Sequence, residues 1–231
     1  MALILGAARK IVKMDRNTRN CKWSSRVKEH PRRVSGQKLG LVGFGNSARN
    51  VTIRAIPFGL KIFAYGPCLD EKVIRKYKVE PDTFDFIIKN CDVISLHVPL
   101  NSKTYHLIGE SELRSMKKNA SLINTSRGAV VDEDMLVKAL KEDWIRSAGI
   151  DVFEKLNVFD ESEKQVDHPL FHLDNVILSP HCAAVSDESL IELKQKAIRE
   201  VVAVLSGKWP NTVVNPDVSP RFPLARQGKA I

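Results

Sequence analysis

The sequence predicts an α/β protein built on a doubly wound, mostly parallel sheet, and three observations carry that prediction. A short apolar run ending at Val42 leads straight into Gly43-x-Gly45-x-x-Ala48 and then into helix-forming sequence up to Pro57. A second strand-like run, Leu60–Tyr65, follows at the spacing of one crossover helix. Beyond it, strand-like and helix-like segments alternate as far as His181, the pattern of a parallel sheet covered on both faces.

Taken in order, apolar residues Leu3, Ile4, Ala7, Ala8, Ile11 and Val12 recur at helical spacing, which predicts one amphipathic helix over residues 1–22. A polar stretch with Pro31 and Ser35 makes residues 24–36 a linker. The glycine turn then reads as strand, tight turn, helix. Gly43 permits the bend, Gly45 allows backbone to approach a pyrophosphate, and Ala48 lets the helix pack closely, with phosphate at the helix N-terminus. Helices are expected near 47–56, 69–76 and 83–90, then a strand at Asp92–Leu96. The strand Ala120–Asn124 precedes a helix from about Asp132, whose early acids suit a helix start. Strands at Ser147–Val152 and Asn175–Leu178 complete the sheet. A long helix from Ser186 to about Leu205 carries the stripe Leu190, Leu193, Ala197, Val201 and Leu205. Residues 217–231 are expected to be a disordered tail.

Composition narrows the class. The chain has 231 residues, 43% hydrophobic and 27% charged, an ordinary globular balance. No apolar run approaches the roughly 18 residues that span a bilayer. Cys21, Cys68, Cys91 and Cys182 form no C-x-x-C pair, so neither a disulfide framework nor a metal site is indicated, and a cytoplasmic protein is expected. The net charge of +9 resides in residues 1–38, which hold eleven Lys or Arg and two acids. With no aromatic interleaving, this reads as a solvated face and linker, and no nucleic-acid partner is expected.

Ligands of parallel sheets bind at the carboxyl ends of the strands. That rule gathers Gly43–Ala48, Gly66, His97, Arg127, Asp151 and His181 around one crevice. An Arg after a strand can clamp a carboxylate through two parallel hydrogen bonds, and a nearby His can exchange the proton of a hydroxyl–carbonyl pair. Beside a nicotinamide, that combination suits hydride transfer to a 2-keto acid.

The chain resembles the D-isomer-specific 2-hydroxyacid dehydrogenases. The resemblance is carried by Ala2–Leu5 through Trp23, Gly36–Gly45, His97-Val98-Pro99-Leu100-Asn101, Ile123–Asp132, Asp151-Val152-Phe153-Glu154, and His168-Pro169-Leu170 through Ser179-Pro180-His181. It implies a Rossmann-type domain over residues 1–182 that binds NAD or NADP, and a helical segment over 183–216 left from a second, substrate domain. By this resemblance Arg127 binds the substrate and His181 is the general acid/base. The cofactor is expected on Gly43, Phe44, Gly45, Asn46 and Ser47, with His97, Val98, Pro99, Thr104, Thr125 and Asp151 around its adenosine and nicotinamide ends. A homodimer formed through the first helix is implied as well, with a small 2-hydroxy or 2-keto acid as substrate.

Three departures qualify the resemblance. The family carboxylate that pairs with the catalytic His falls at Leu156, which removes the charge favouring the imidazolium. The acid that binds the adenosine ribose falls at Gly66, followed by Pro67, so NADP is permitted without being selected. The family's N-terminal substrate-domain segment has no counterpart here, so the Leu190–Leu205 stripe is expected to lack a packing partner and to favour self-association. These departures support a second reading, a non-catalytic dinucleotide-binding module.

Overall fold

The structure, a computed structural model, describes residues 1–67, 69–160, 165–215 and 217–225. Cys68 and the last six positions of the expected tail lie outside them. The chain divides into a first unit, Met1–Ala183, and a second that begins at Ala184.

The first unit is organised on seven parallel strands: β1 (Lys38–Val42), β2 (Lys61–Tyr65), β3 (Glu80–Pro81), β4 (Val93–Leu96), β5 (Ser121–Asn124), β6 (Ser147–Ile150) and β7 (Val176–Leu178). Their order is β3-β2-β1-β4-β5-β6-β7. The order reverses between β1 and β4, and a doubly wound sheet opens its ligand crevice at such a point. Register is continuous across the reversal, with Leu39 opposite Val93 and Val42 opposite Leu96.

Side-chain alternation explains why the strands read as near-continuous apolar runs. Leu39 and Leu41 point into one core cluster with Ile4, Ala7, Phe44 and Ala48, while Val42 points into the other with Ile87, Ile94 and Leu122. The helices of this unit are α1 (Ala2–Arg9), α2 (Ile11–Arg19), α3 (Ser25–Lys28), α4 (Asn46–Ala55), α5 (Glu71–Tyr77), α6 (Phe84–Asn90), α7 (Glu110–Ser115) and α8 (Glu133–Lys141). Local chemistry starts several of them: Asp70, Thr83 and Asp132 each accept a first-turn amide, for α5, α6 and α8.

The structure corrects two local expectations. The single helix over 1–22 is broken at Lys10, which adopts a left-handed conformation with φ 52°. The break lets α1 lay Ile4, Ala7 and Ala8 on the sheet while α2, with no buried residue, turns away. Lys10 and Lys13 converge on Glu29 across the turn, at 3.5 and 2.8 Å. The linker over 24–36 contains one helical turn, α3. The sequence reading also missed β3 and α7. The Pro of β3 is compatible with its place on the sheet edge.

Within the second unit, α9 (Asp187–Leu205) starts at a reciprocal cap in which Ser186 and Ser189 exchange side-chain-to-backbone hydrogen bonds of 3.1 and 2.8 Å. Leu190, Leu193, Ala197, Val201 and Leu205 are all exposed. After the helix, Gly207 and Trp209 exchange backbone hydrogen bonds with Ala225, at 2.7 and 2.9 Å. No helix among the described residues is long and apolar enough to cross a membrane.

Candidate active site

The strand ends bring the expected residues to one edge of the sheet. Gly43 follows β1 with φ 91°, and its amide donates to the Tyr65 carbonyl at 2.8 Å. A Cβ there would fall 2.7 Å from the His97 carbonyl oxygen and 3.1 Å from Val98 Cγ1, so only glycine lets the His97–Val98 segment close on the turn. Gly66 lies against the same turn: its Cβ would sit 3.4 Å from Gly43 Cα and from the Phe44 amide nitrogen. Phe44 buries its ring in the core, edge-on to Tyr77 at 5.8 Å, which leaves its backbone to the crevice.

Gly45 is the residue that keeps the turn open. It is extended, and a Cβ built there meets nothing within 4 Å. No side chain caps α4, whose first-turn amides at Asn46 and Ser47 are therefore available to an anion. This cradle fits the pyrophosphate of a dinucleotide.

His97 and the loop after it are held by short contacts. Its Nε2 lies 3.0 Å from Ser95 Oγ, and burial pushes the imidazole down to about 4. The Thr104 hydroxyl donates to the Pro99 carbonyl at 2.6 Å and accepts from the Asn101 amide at 2.9 Å, so Thr104 fixes the Pro99–Thr104 turn. Thr125 follows β5, where Asn124 shapes the next turn. The Asn124 amide donates to the Arg127 carbonyl at 2.9 Å while its oxygen accepts from the Ser126 amide at 3.0 Å.

Arg127 and His181 line one cleft of about 380 Å³ with Val152, Phe153, Leu156 and Phe159. His181 sits in the left-handed region, φ 55°, and its amide donates to the Asp151 carbonyl at 2.7 Å. The Asp151 carboxylate, fully buried, takes three further donors from the same turn: the Ser179 hydroxyl at 2.5 Å and the Cys182 and Ala183 amides at 2.9 Å each. One aspartate thus holds the His181 turn at four points. The Phe159 ring lies 5.2 Å from the His181 ring.

Leu156 faces the same cleft, and Glu154 turns the other way. Glu154 Oε1 pairs with His106 Nε2 at 2.8 Å, so this carboxylate is committed away from His181. Sequence reasoning gave no role in the site to Glu133, His106 or Phe159, and quoted Asn124 and His168 only within the stretches that carry the resemblance. Among the described residues no cluster of His, Cys, Asp or Glu is placed to hold a metal ion.

A doubly wound parallel sheet with this glycine turn defines a dinucleotide-binding protein. The domain model for the D-isomer specific 2-hydroxyacid dehydrogenase, NAD binding domain, matches residues 1–183, and the chain belongs to that family. A glyoxylate reductase from Thermococcus litoralis is 42% identical over 223 residues, covering 94% of this chain and 65% of the relative. A glyoxylate reductase from Pyrococcus horikoshii is 39% identical over the same shares. The chain thus spans somewhat less than two thirds of these relatives' length. Among solved structures, D-lactate dehydrogenase with NAD+ from Lactobacillus jensenii superposes with a TM-score of 0.81 at 28% identity, covering 90% of this chain and 64% of that one. An acyclic imino acid reductase in complex with NADPH and D-Arg superposes with a TM-score of 0.78 at 28% identity, covering 92% of this chain and 65% of that one.

Proposed function

We propose that this chain supplies the nucleotide site and the reacting side chains of an NAD(P)-dependent 2-hydroxyacid dehydrogenase acting on a small 2-keto acid. The observation that carries the reading is the convergence of Arg127 and His181 in one cleft at the crevice edge of the sheet. Arg127 engages the substrate carboxylate through its guanidinium. His181 delivers the proton to the carbonyl oxygen as it becomes a hydroxyl, and removes it in the reverse direction. Bound NAD(P)H supplies the hydride. The residues that would hold it are Gly43, Phe44, Gly45, Asn46 and Ser47 at the pyrophosphate, with Gly66, His97, Val98, Pro99, Thr104, Thr125 and Asp151 around the remainder. Gly66 offers no carboxylate to repel a 2′-phosphate, so either nucleotide is accepted. The protein acts as a homodimer, with α1 and α2 at the interface.

The test is NADH and NADPH oxidation with glyoxylate and pyruvate, in the wild type and in Arg127→Ala, His181→Ala and Leu156→Glu. Arg127→Ala and His181→Ala are expected to abolish a rate that Leu156→Glu raises. A rate indifferent to Arg127 and His181 would defeat the reading.

Leu156 favours a second reading, a dinucleotide-binding module without catalysis, because it presents an aliphatic side chain to the cleft that His181 lines. Under it, nucleotide binds while keto acids are not reduced by the wild type or by Leu156→Glu.

A further inference from the structure

Beside the cleft lies a partly buried polar cluster that the proposed reaction does not use. Glu133 at the start of α8 and Glu154 after β6 are interlocked: the Glu154 amide donates to Glu133 Oε2 at 3.0 Å, and the Glu133 amide lies 3.5 Å from Glu154 Oε2. Each carboxylate therefore holds the other's backbone. A histidine closes each end. His168 Nε2 meets Glu133 Oε1 at 2.9 Å, and its Nδ1 accepts the Leu170 amide at 3.3 Å, so Nε2 carries the proton and donates to the carboxylate. His106 Nε2 meets Glu154 Oε1 at 2.8 Å, and His106 Nδ1 lies 3.7 Å from Asp132 Oδ2. Glu133 and His168 are only 5% and 4% exposed.

The cluster joins segments that wrap the Arg127 turn. The His106 and Ile108 amides donate to the Ala129 and Val130 carbonyls at 2.8 and 3.1 Å, just beyond Gly128. On the other side, a Cβ on Gly128 would fall 2.0 Å from the Phe153 carbonyl oxygen and 2.4 Å from the Glu154 amide nitrogen, so the two backbones touch. Glu154 spans from one wall to the other, tying residues 153–154 to His106 across the turn.

We propose that Glu154 is a positioning residue. Through Glu133 and His106 it fixes the Arg127–Gly128 turn at the distance a substrate carboxylate requires, and so sets substrate affinity without touching substrate or nucleotide. This rests on the substrate-binding role proposed for Arg127. Displacing such a turn by a fraction of an ångström weakens the carboxylate clamp, while the glycine turn at the far side of the crevice is left as it was.

The test compares wild type, Glu154→Ala, Glu154→Gln and His106→Ala by glyoxylate kinetics with NADH and by direct NADH titration. Glu154→Ala is expected to raise the KM for glyoxylate about tenfold, with kcat and the NADH Kd within about threefold. Glu154→Gln retains an oxygen for the Glu133 amide and a polar contact to His106, and is expected to restore KM to near the wild-type value. His106→Ala, on a partly exposed ring, gives an intermediate KM and decides the matter if Glu154→Ala fails to fold. An unchanged KM overturns the proposal, as does a KM that rises in step with the NADH Kd, or a Glu154→Gln variant as impaired as Glu154→Ala. A wild type that turns over no keto acid ends the functional reading and this proposal with it; an active wild type with indifferent variants ends this proposal alone.

Discussion

Acidifying the protein from pH 7.5 to 5 should cost stability at His97. Its imidazole is lowered from 6.5 to about 4, with burial the largest cause. The sign follows from proton counting: the unfolded chain protonates His97 near pH 6.5 while the folded chain resists until about pH 4, so protons favour unfolding throughout that window. Stability from this group is complete above the unfolded value and falls as pH drops toward the folded one. At pH 5 the difference amounts to about 2 kcal/mol. The carboxylates of Glu29 and Asp92, held below their ordinary range by Lys13 and by the Lys38 amide and Lys117, do not blur the measurement. Their contribution is lost only as pH falls below the usual carboxylate range. The assay is urea unfolding of wild type and His97→Gln at both pH values. Wild type should lose about 2 kcal/mol more than the variant between them. Equal losses would refute the reasoning and place His97 in contact with solvent.

Glycine substitutions separate folding from binding. Gly128→Ala would force a Cβ onto the Phe153 backbone, which has no side chain to swing aside, and should lower stability by about 3 kcal/mol or more in the same urea assay. Gly45→Ala meets open space and should leave stability nearly unchanged, but its methyl occupies the approach of a pyrophosphate and should weaken NADH binding about tenfold. Asp151→Ala orphans the Cys182 and Ala183 amides and should cost about 3 kcal/mol of stability. The same variant should remove keto-acid reduction by releasing the His181 turn.

The sheet was legible because both of its faces are buried: apolar strands separated by crossover helices have few other ways to fold. The crevice followed, since Gly43, His97, Arg127, Asp151 and His181 each stand just after a strand. The break at Lys10 was not legible. The apolar spacing runs on through Ile11 and Val12 with no glycine or proline at the break itself, and the turn is stabilised by Glu29, distant in sequence. Strand β3 has two residues and exists only by pairing with β2, and α7 is too short to show a stripe. Around the cleft, Arg127 and His181 could be read from their positions, whereas the side on which Glu154 leaves an extended backbone could not. Its partner His106 lies 48 residues earlier. Glu133 showed only as an acid in a helix's first turn, because its contacts with Glu154 and His168 come entirely from tertiary packing.

The most direct measurement of the central claim is titration of the chain with NADH, and separately NADPH, following nucleotide emission and quenching of Trp23, Trp144 and Trp209. The account predicts saturable binding of at least one nucleotide, weakened in Gly45→Ala and retained in His181→Ala. Absence of saturable binding by the folded wild type, or binding indifferent to Gly45→Ala, would contradict it.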